Sequence, residues 1–325
     1  MQAPKTLQQA IQFFTEFENC RKFMESVRWP DGVIHCPHCH SDKVTFLQKA
    51  RVYKCATPHA KQKFSLKTGT VFEDSPIPLE KWLPALWLMV TCKNGVSSYE
   101  IHRALGVTQK SAWFMLHRIR TAMKSGGFGA NYKFGGDSGP VEVDETFIGG
   151  KLKNMHREKK IRYVKRGGAH GKTIVMGLLD RDLRQVRAKV VPDVKRETLQ
   201  REVLRKVKHG STVYTDEHVG YDNLHSKFVH DVVNHSIRYV DGQVHTNGIE
   251  NFWALTKRTL SGTYVAVEPY HLERYLDEQV FRFNNRSTKD NPLNDSDRFV
   301  LALPQIVGKR LTYGELTGKE GKAYF

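Results

Sequence analysis

Apolar residues recur at helical spacing over the first stretch of the chain, residues 6–25, where Leu7, Ala10, Ile11, Phe14 and Met24 fall near one side. "RWPDG" at 28–32 then reads as a turn, and residues 33–72 are short, turn-rich and cysteine-bearing. Helical period returns over 78–123, interrupted near Asn94-Gly95 and again at Gly106. "KSGGFGANYKFGGDSG", 124–139, holds six glycines and reads as a linker. Beyond it the period changes to two. "PVEVDETFIG", "KTIVMGLLD", "RQVRAKVV" and "STVYTD" are strand-like runs rich in Val, Ile and Tyr. They alternate with helical patterns: "ETLQREVLRKVKHG", then "HTNGIENFWALTKRTLSG" at 245–262, then 269–285. The tail from 286 offers one helix, around 295–306. The chain is therefore of the α/β class, with its first third nearly all helical outside the cysteine-bearing stretch.

Within 96–123, "VSSYEIHRALGVTQKSAWFMLHRIRTAM" has two short helices around "LGVT". Ile101, Leu105, Val107, Ala112, Leu116 and Ile119 are expected inward. Gln109, Lys110, Trp113, His117, Arg118 and Arg120 are expected outward, the layout of a helix-turn-helix whose second helix reads DNA. The plainer alternative is a helical hairpin with a charged outer face.

The five cysteines are Cys20, Cys36, Cys39, Cys55 and Cys92. An odd number with one tight CxxC argues against a disulfide scaffold and for a metal site in a reducing compartment. "HCPHCHSDKVTFLQKARVYKCATPHAKQKFS" has the layout of a zinc ribbon, and thiolates three residues apart can both reach one tetrahedral Zn²⁺. Cys36, Cys39 and Cys55 are three ligands. A second CxxC would put the fourth at Pro58, which cannot ligate. His59 is the next candidate, with His35, His38 and His40 as substitutes.

Charge narrows the choice of partner. Lys and Arg number 51 against 34 Asp and Glu, an excess of 17 that suits a polyanion. The run 151–172 alone holds nine Lys or Arg and one acid. It is expected to bind the DNA backbone, against the default of a solvated loop. No run approaches the ~18 apolar residues that span a bilayer, and the N-terminus lacks an apolar signal core, so no membrane partner is expected. The expectation is a cytoplasmic, nucleoid-associated protein.

Three acids stand out by position. Asp144 and Asp216 each end a β-rich run. Glu250 lies on the helix of 245–262, beside the apolar stripe Ile249, Phe252, Trp253, Thr256 and Leu260. Asn247, Glu250 and Lys257 line one edge of that helix. Three converging carboxylates can share a pair of hard divalent cations. By position alone each is equally a solvated acid or a salt bridge.

The ordered stretches "RWPDGVIHCPHC", "FSLKTGTVFEDSPIPLEKW", "LGVTQKSAWFMLHRIR", "VEVDETFIGGK", "VYTDEHVGY", "HTNGIENFWALTKR" and "YLDEQVFRFNNR" cover nearly the whole chain. Together they resemble a DDE transposase of the bacterial insertion-sequence family with an N-terminal zinc ribbon, related to the Merlin elements. The resemblance implies a ribonuclease-H-like catalytic core preceded by the zinc ribbon and a helix-turn-helix segment. It implies Asp144, Asp216 and Glu250 as ligands of Mg²⁺ (or Mn²⁺), with Lys257 near the DNA phosphate. Some relatives place an asparagine in the third role, which keeps Asn247 in view as a co-ligand. The sequence departs from the family at "CATPH", where the second CxxC is lost. The domains implied are 1–75 (helix and zinc ribbon), 76–125 (helix-turn-helix), 126–139 (linker), 140–290 (catalytic) and 291–325 (C-terminal extension). The expected activity is metal-dependent cleavage at transposon ends and strand transfer into target DNA, by at least a dimer on DNA. The alternatives are a non-catalytic DNA-binding regulator derived from a transposase and a metal nuclease without strand transfer.

Overall fold

A computed structural model describes residues 3–124, 132–149, 172–233 and 244–318. The basic run 151–172 lies, but for Lys172, outside the described residues. The chain divides into two units, one formed by residues up to 124 and from 285 onward, the other by 125–284.

The first unit begins with two helices where the period suggested one. α1 (Leu7–Thr15) is capped by Thr6, whose side chain accepts from Gln9 N–H. Glu16 is extended, and α2 (Phe17–Arg28) starts beyond it. The break lets Phe14 and Phe23 meet edge-on, 5.6 Å between centroids. β1 (Val44–Leu47), β2 (Val52–Cys55) and β3 (Lys63–Phe64) form a small antiparallel sheet in that order. α3 (Leu79–Thr91) is apolar almost all round and correspondingly buried. α4 (Ser98–Leu105) carries a Ser97–Glu100 capping box, and Gly106, at φ +59, turns the chain into α5 (Gln109–Met123).

The second unit opens inside the glycine-rich stretch. Phe134 is buried, its N–H donating to Lys206 C=O at 2.8 Å. A Cβ on Gly135 would stand 2.3 Å from Ser211 Oγ. Residues 132–139 are therefore packed against the unit that follows, and their glycines serve close approach. β4 (Val141–Ile148), β5 (Thr173–Asp180) and β6 (Gln185–Val191) form an antiparallel meander. After α6 (Arg196–Lys206) come β7 (Thr212–Asp216) and β8 (Val229–Val233), parallel to β4 and to each other, giving the order β6-β5-β4-β7-β8. α7 (Asn247–Gly262) and α8 (Leu272–Asn284) complete the unit.

Alternation on the strands divides its core in two. Val141 and Val143 of β4, with Met176, Leu178 and Val213, pack with Leu199 and Val203 of α6. Val175, Leu179 and Val186 pack on the opposite face with Ile249, Phe252 and Trp253 of α7 and Leu276 of α8.

The chain then returns to the first unit through α9 (Asp295–Ala302), a 3₁₀ turn (Leu303–Ile306) and α10 (Tyr313–Thr317). Phe299 is fully buried, with ring centroids 5.6 Å from Phe14, 5.9 Å from Phe23 and 5.1 Å from Trp87. This return corrects the expected outward face of α5. His117, Arg118 and Arg120 are buried. Arg118 Nε donates to Leu311 C=O at 3.1 Å, and its guanidinium lies over Phe114. Lys110 stays exposed, while Gln109 and Trp113 are partly buried. No helix among the described residues is long and apolar enough to cross a membrane.

Phe299→Ala removes a ring that three others enclose. It should destabilise the first unit by about 3–5 kcal/mol in denaturant unfolding, leaving the second unit's transition in place.

Candidate functional site

On β4, residues 142, 144 and 146 face α7, opposite to Val141 and Val143. Asp144 therefore points toward α7. Its partner across the antiparallel ladder is Gly177 of β5. A Cβ at 177 would sit 2.5 Å from Trp253 Cζ2, so the indole of α7 lies directly on the β5 backbone. From there Trp253 Nε1 donates to Asp144 Oδ2 at 3.0 Å, while Glu145 N–H donates to Oδ1 at 2.8 Å.

The parallel ladder of β4 and β7 pairs Val141 with Val213 and Glu142 with Tyr214. Carried on two residues, that register sets Asp216, the last residue of β7, beside Asp144. The electrostatics agree. Burial first, then the charges of Asp216 and Glu145, push the Asp144 carboxyl up to about 7. Asp216 Oδ1 accepts from His218 N–H at 3.1 Å.

Glu145 turns to the other face, where it accepts from Tyr221 Oη, and His218 Nδ1 lies 3.5 Å from its second oxygen. Burial raises the Glu145 carboxyl to about 7; the Tyr221 hydrogen bond opposes this, and Asp216 adds to it.

Glu250 lies one turn into α7, partly buried, accepting from Thr246 Oγ1 at 2.8 Å. It precedes Trp253 by three residues, so the two share a side of the helix. Lys257, two turns beyond Glu250, is exposed, as is Asn247 at the helix start. Among the described residues, Asp144, Asp216 and Glu250 do not bring ligand atoms all within 4.8 Å of one another. They form no cage for a single ion. Two cations ~3.5–4 Å apart, each ~2.1 Å from its oxygens, spread their outer ligands over about 8 Å.

A further carboxylate, which no sequence pattern singles out, borders the start of α7. Glu142 is 1 % exposed. It accepts from Ile249 N–H at 2.8 Å and pairs with Arg181 Nε at 2.6 Å. Arg181 also donates to His245 C=O and lies over the Tyr214 ring. The negative charge at the start of α7 complements the helix dipole.

In the first unit, Cys36, Cys39, Cys55 and His59 bring one ligand atom each within 4.8 Å of one another. Cys36 Sγ is 3.4 Å from His59 Nε2, and Cys39 Sγ is 3.6 Å from Cys55 Sγ. Tetrahedral ligands on one Zn²⁺ stand about 3.5–3.8 Å apart, so the set fits zinc. His35 lies instead 3.4 Å from Asp31 Oδ2. The Cys55 thiol is drawn down to about 7: burial would raise it, but hydrogen bonds to His59, Thr57 and Cys39 outweigh that. The thiolate is the form that ligates.

Comparison with known proteins bears on both units. Residues 138–284 match the family model of the ISXO2-like transposase domain, and residues 16–58 that of the transposase zinc-ribbon domain. The zinc-ribbon match ends one residue before His59. Over 289 residues the chain is 27 % identical to an uncharacterized protein in transposable element ISH50 of Halobacterium salinarum, covering 84 % of this chain and 94 % of that one. Over 101 residues it is 42 % identical to an uncharacterized transposase-like protein of Haemophilus influenzae, covering 31 % of this chain and 81 % of that one.

Elemental analysis of the purified protein should find one zinc per chain. His59→Ala should lower that content after dialysis against a chelator, whereas His35→Ala should leave it unchanged.

Proposed function

Because the chain belongs to the ISXO2-like transposases that carry a transposase zinc ribbon, we propose that it cuts DNA at the ends of its element and joins those ends to target DNA. The observation that carries this reading is the nearness of Asp144 and Asp216 on adjacent parallel strands, two residues beyond the last paired positions: burial first, and then the Asp216 charge, raises the Asp144 carboxyl to about 7. We read the sheet as ribonuclease-H-like: a three-stranded antiparallel meander, two further strands parallel to the first, and helices on both faces.

Asp144, Asp216 and Glu250 are the residues that would hold Mg²⁺ or Mn²⁺. Their hard oxygen donors and mutual repulsion suit divalent cations. Two such ions, when bound, supply Lewis acidity to the attacking and leaving oxygens of an in-line phosphoryl displacement. Water attacks one phosphodiester and frees a 3′-hydroxyl. That hydroxyl then attacks a target phosphodiester, one P–O bond forming as another breaks. Lys257, exposed beyond Glu250, would meet the DNA phosphate as a compact point charge. We read α4, Gly106 and α5 as a helix-turn-helix that presents only the first turns of α5, with Lys110, to DNA. The zinc ribbon and the excess of 17 positive charges favour the same partner. Two element ends brought together call for at least a dimer.

Oligonucleotides carrying an element end, incubated with full-length protein and Mg²⁺ or Mn²⁺, test this. Wild type should cut and join, and Asp216→Ala should lose at least about 10³-fold in rate, equivalent to several kcal/mol of barrier. Unchanged activity in Asp216→Ala would remove the mechanism. Binding without cutting by the wild type would favour the regulator, and cutting without joining the nuclease.

The raised Asp144 carboxyl has a pH signature. Its folded value of about 7 lies above the ordinary 3.8. The cation-free fold is therefore unpenalised below about 4, loses stability as pH rises toward 7, and carries the full penalty above it. A divalent cation removes the penalty by taking the proton's place. Mg²⁺ should raise the melting temperature at pH 8 by a few degrees and at pH 5.5 by little, and Asp144→Asn should abolish the difference.

A further inference from the structure

We propose that Trp253 is a positioning residue that locks the Asp144 carboxylate in the orientation needed for cation binding. The inference rests on the reading of Asp144 as a cation ligand.

Trp253 is 4 % exposed and belongs to the apolar core between the sheet and α7. Apolar packing alone would be served by any large ring. An indole also brings one N–H, which must find an acceptor once buried. Here that acceptor is Asp144 Oδ2, at 3.0 Å. The other oxygen, Oδ1, is already held by Glu145 N–H at 2.8 Å. With one donor on each oxygen, the carboxylate plane cannot rotate about its Cβ–Cγ bond without breaking a hydrogen bond. Each oxygen keeps a second lone pair that a cation could use.

The backbone is shaped for this contact. Residue 177 stands opposite Asp144, and a Cβ there would lie 2.5 Å from Cζ2 and 2.8 Å from Cη2 of the indole. Glycine at 177 lets the ring settle on β5 at the height where Nε1 reaches Asp144. Trp253 also follows Glu250 by three residues on α7. The same ring that orients the strand carboxylate thus sets how far the helix carrying Glu250 stands from it. Outer-shell hydrogen bonds to ligating carboxylates orient the ligand, and their loss typically costs 10–100-fold in metal affinity.

The test is Mn²⁺ binding to the full-length, zinc-loaded protein, followed by the electron paramagnetic resonance of free Mn²⁺. Wild type should bind and Asp144→Asn should lose binding. Trp253→Phe keeps the ring and deletes the N–H; it should bind Mn²⁺ about 10–100-fold more weakly. A merely structural tryptophan would change the melting temperature and leave Mn²⁺ affinity alone. Wild-type affinity in Trp253→Phe, with binding lost in Asp144→Asn, overturns the inference and spares the site. Retained binding in Asp144→Asn overturns both. A second measurement needs no variant that must fold. Among the five tryptophans, labelled with ¹⁵N at the indole, one N–H resonance of the wild type should shift on Mg²⁺ titration with the midpoint of cation binding. If every indole signal stays still, the proposal is wrong.

Discussion

A strand shows its side chains to two faces in turn, and the second unit depends on how β4 uses that alternation. Val141 and Val143 go to the α6 side. Glu142 and Asp144 go to the α7 side, and Glu145 returns to meet Tyr221. A slip of one residue would bury the carboxylates among valines and expose the valines to α7. Two of the acids on the α7 face divide the work. Asp144, midway along β4, stays near Asp216, the last residue of β7. Glu142, deeper in, ties down the first turn of α7 through Ile249 N–H and is neutralised by Arg181. Gly248 lets this carboxylate approach, since a Cβ there would come within 2.9 Å of it. A buried carboxylate outside the candidate centre thus fixes the helix that brings Glu250 and Trp253 to it. A buried ion pair of this kind adds little net stability, but losing one partner strands the other charge.

The first unit shows the same economy with a different cross-link. Its ribbon of three short strands has too little apolar area to hold itself together, and four ligands at zinc-binding spacing stand at its edge. The helical part is knit by aromatic rings. Phe299 inserts among Phe14, Phe23 and Trp87, and the segment after it covers the charged side of α5.

Local chemistry made most of the elements readable in the chain. Four of the five strands of the large sheet, its helices and the cysteine knuckles carry their periods and caps within a dozen residues. β8 carries no clear strand signal, because His230 and Asp231 interrupt its apolar run. The apolar period runs on through Glu16, where no glycine or proline marks the break between the first two helices. The misjudged face of α5 has a tertiary cause. His117, Arg118 and Arg120 look solvent-directed until a segment nearly 200 residues later arrives to cover Arg118. The candidate site divides along the same line. Asp144, Asp216 and Glu250 stand out by position and by resemblance. Glu142, Glu145, Gly177 and Trp253 become visible only through the registers of β4 with β5 and β7, which no local pattern states.

The shared core of the first unit also sets a timetable. Phe14, Phe23 and Trp87 leave the ribosome well before Phe299, with the whole of 125–284 in between. At ordinary rates of synthesis, about 5–20 residues per second, those rings wait on the order of 10 to 60 s for their cover. During that interval the second unit has already been made and can close first. The chain order thus allows the acidic centre to form before the amino-terminal half is sealed, with its aromatics uncovered for that time.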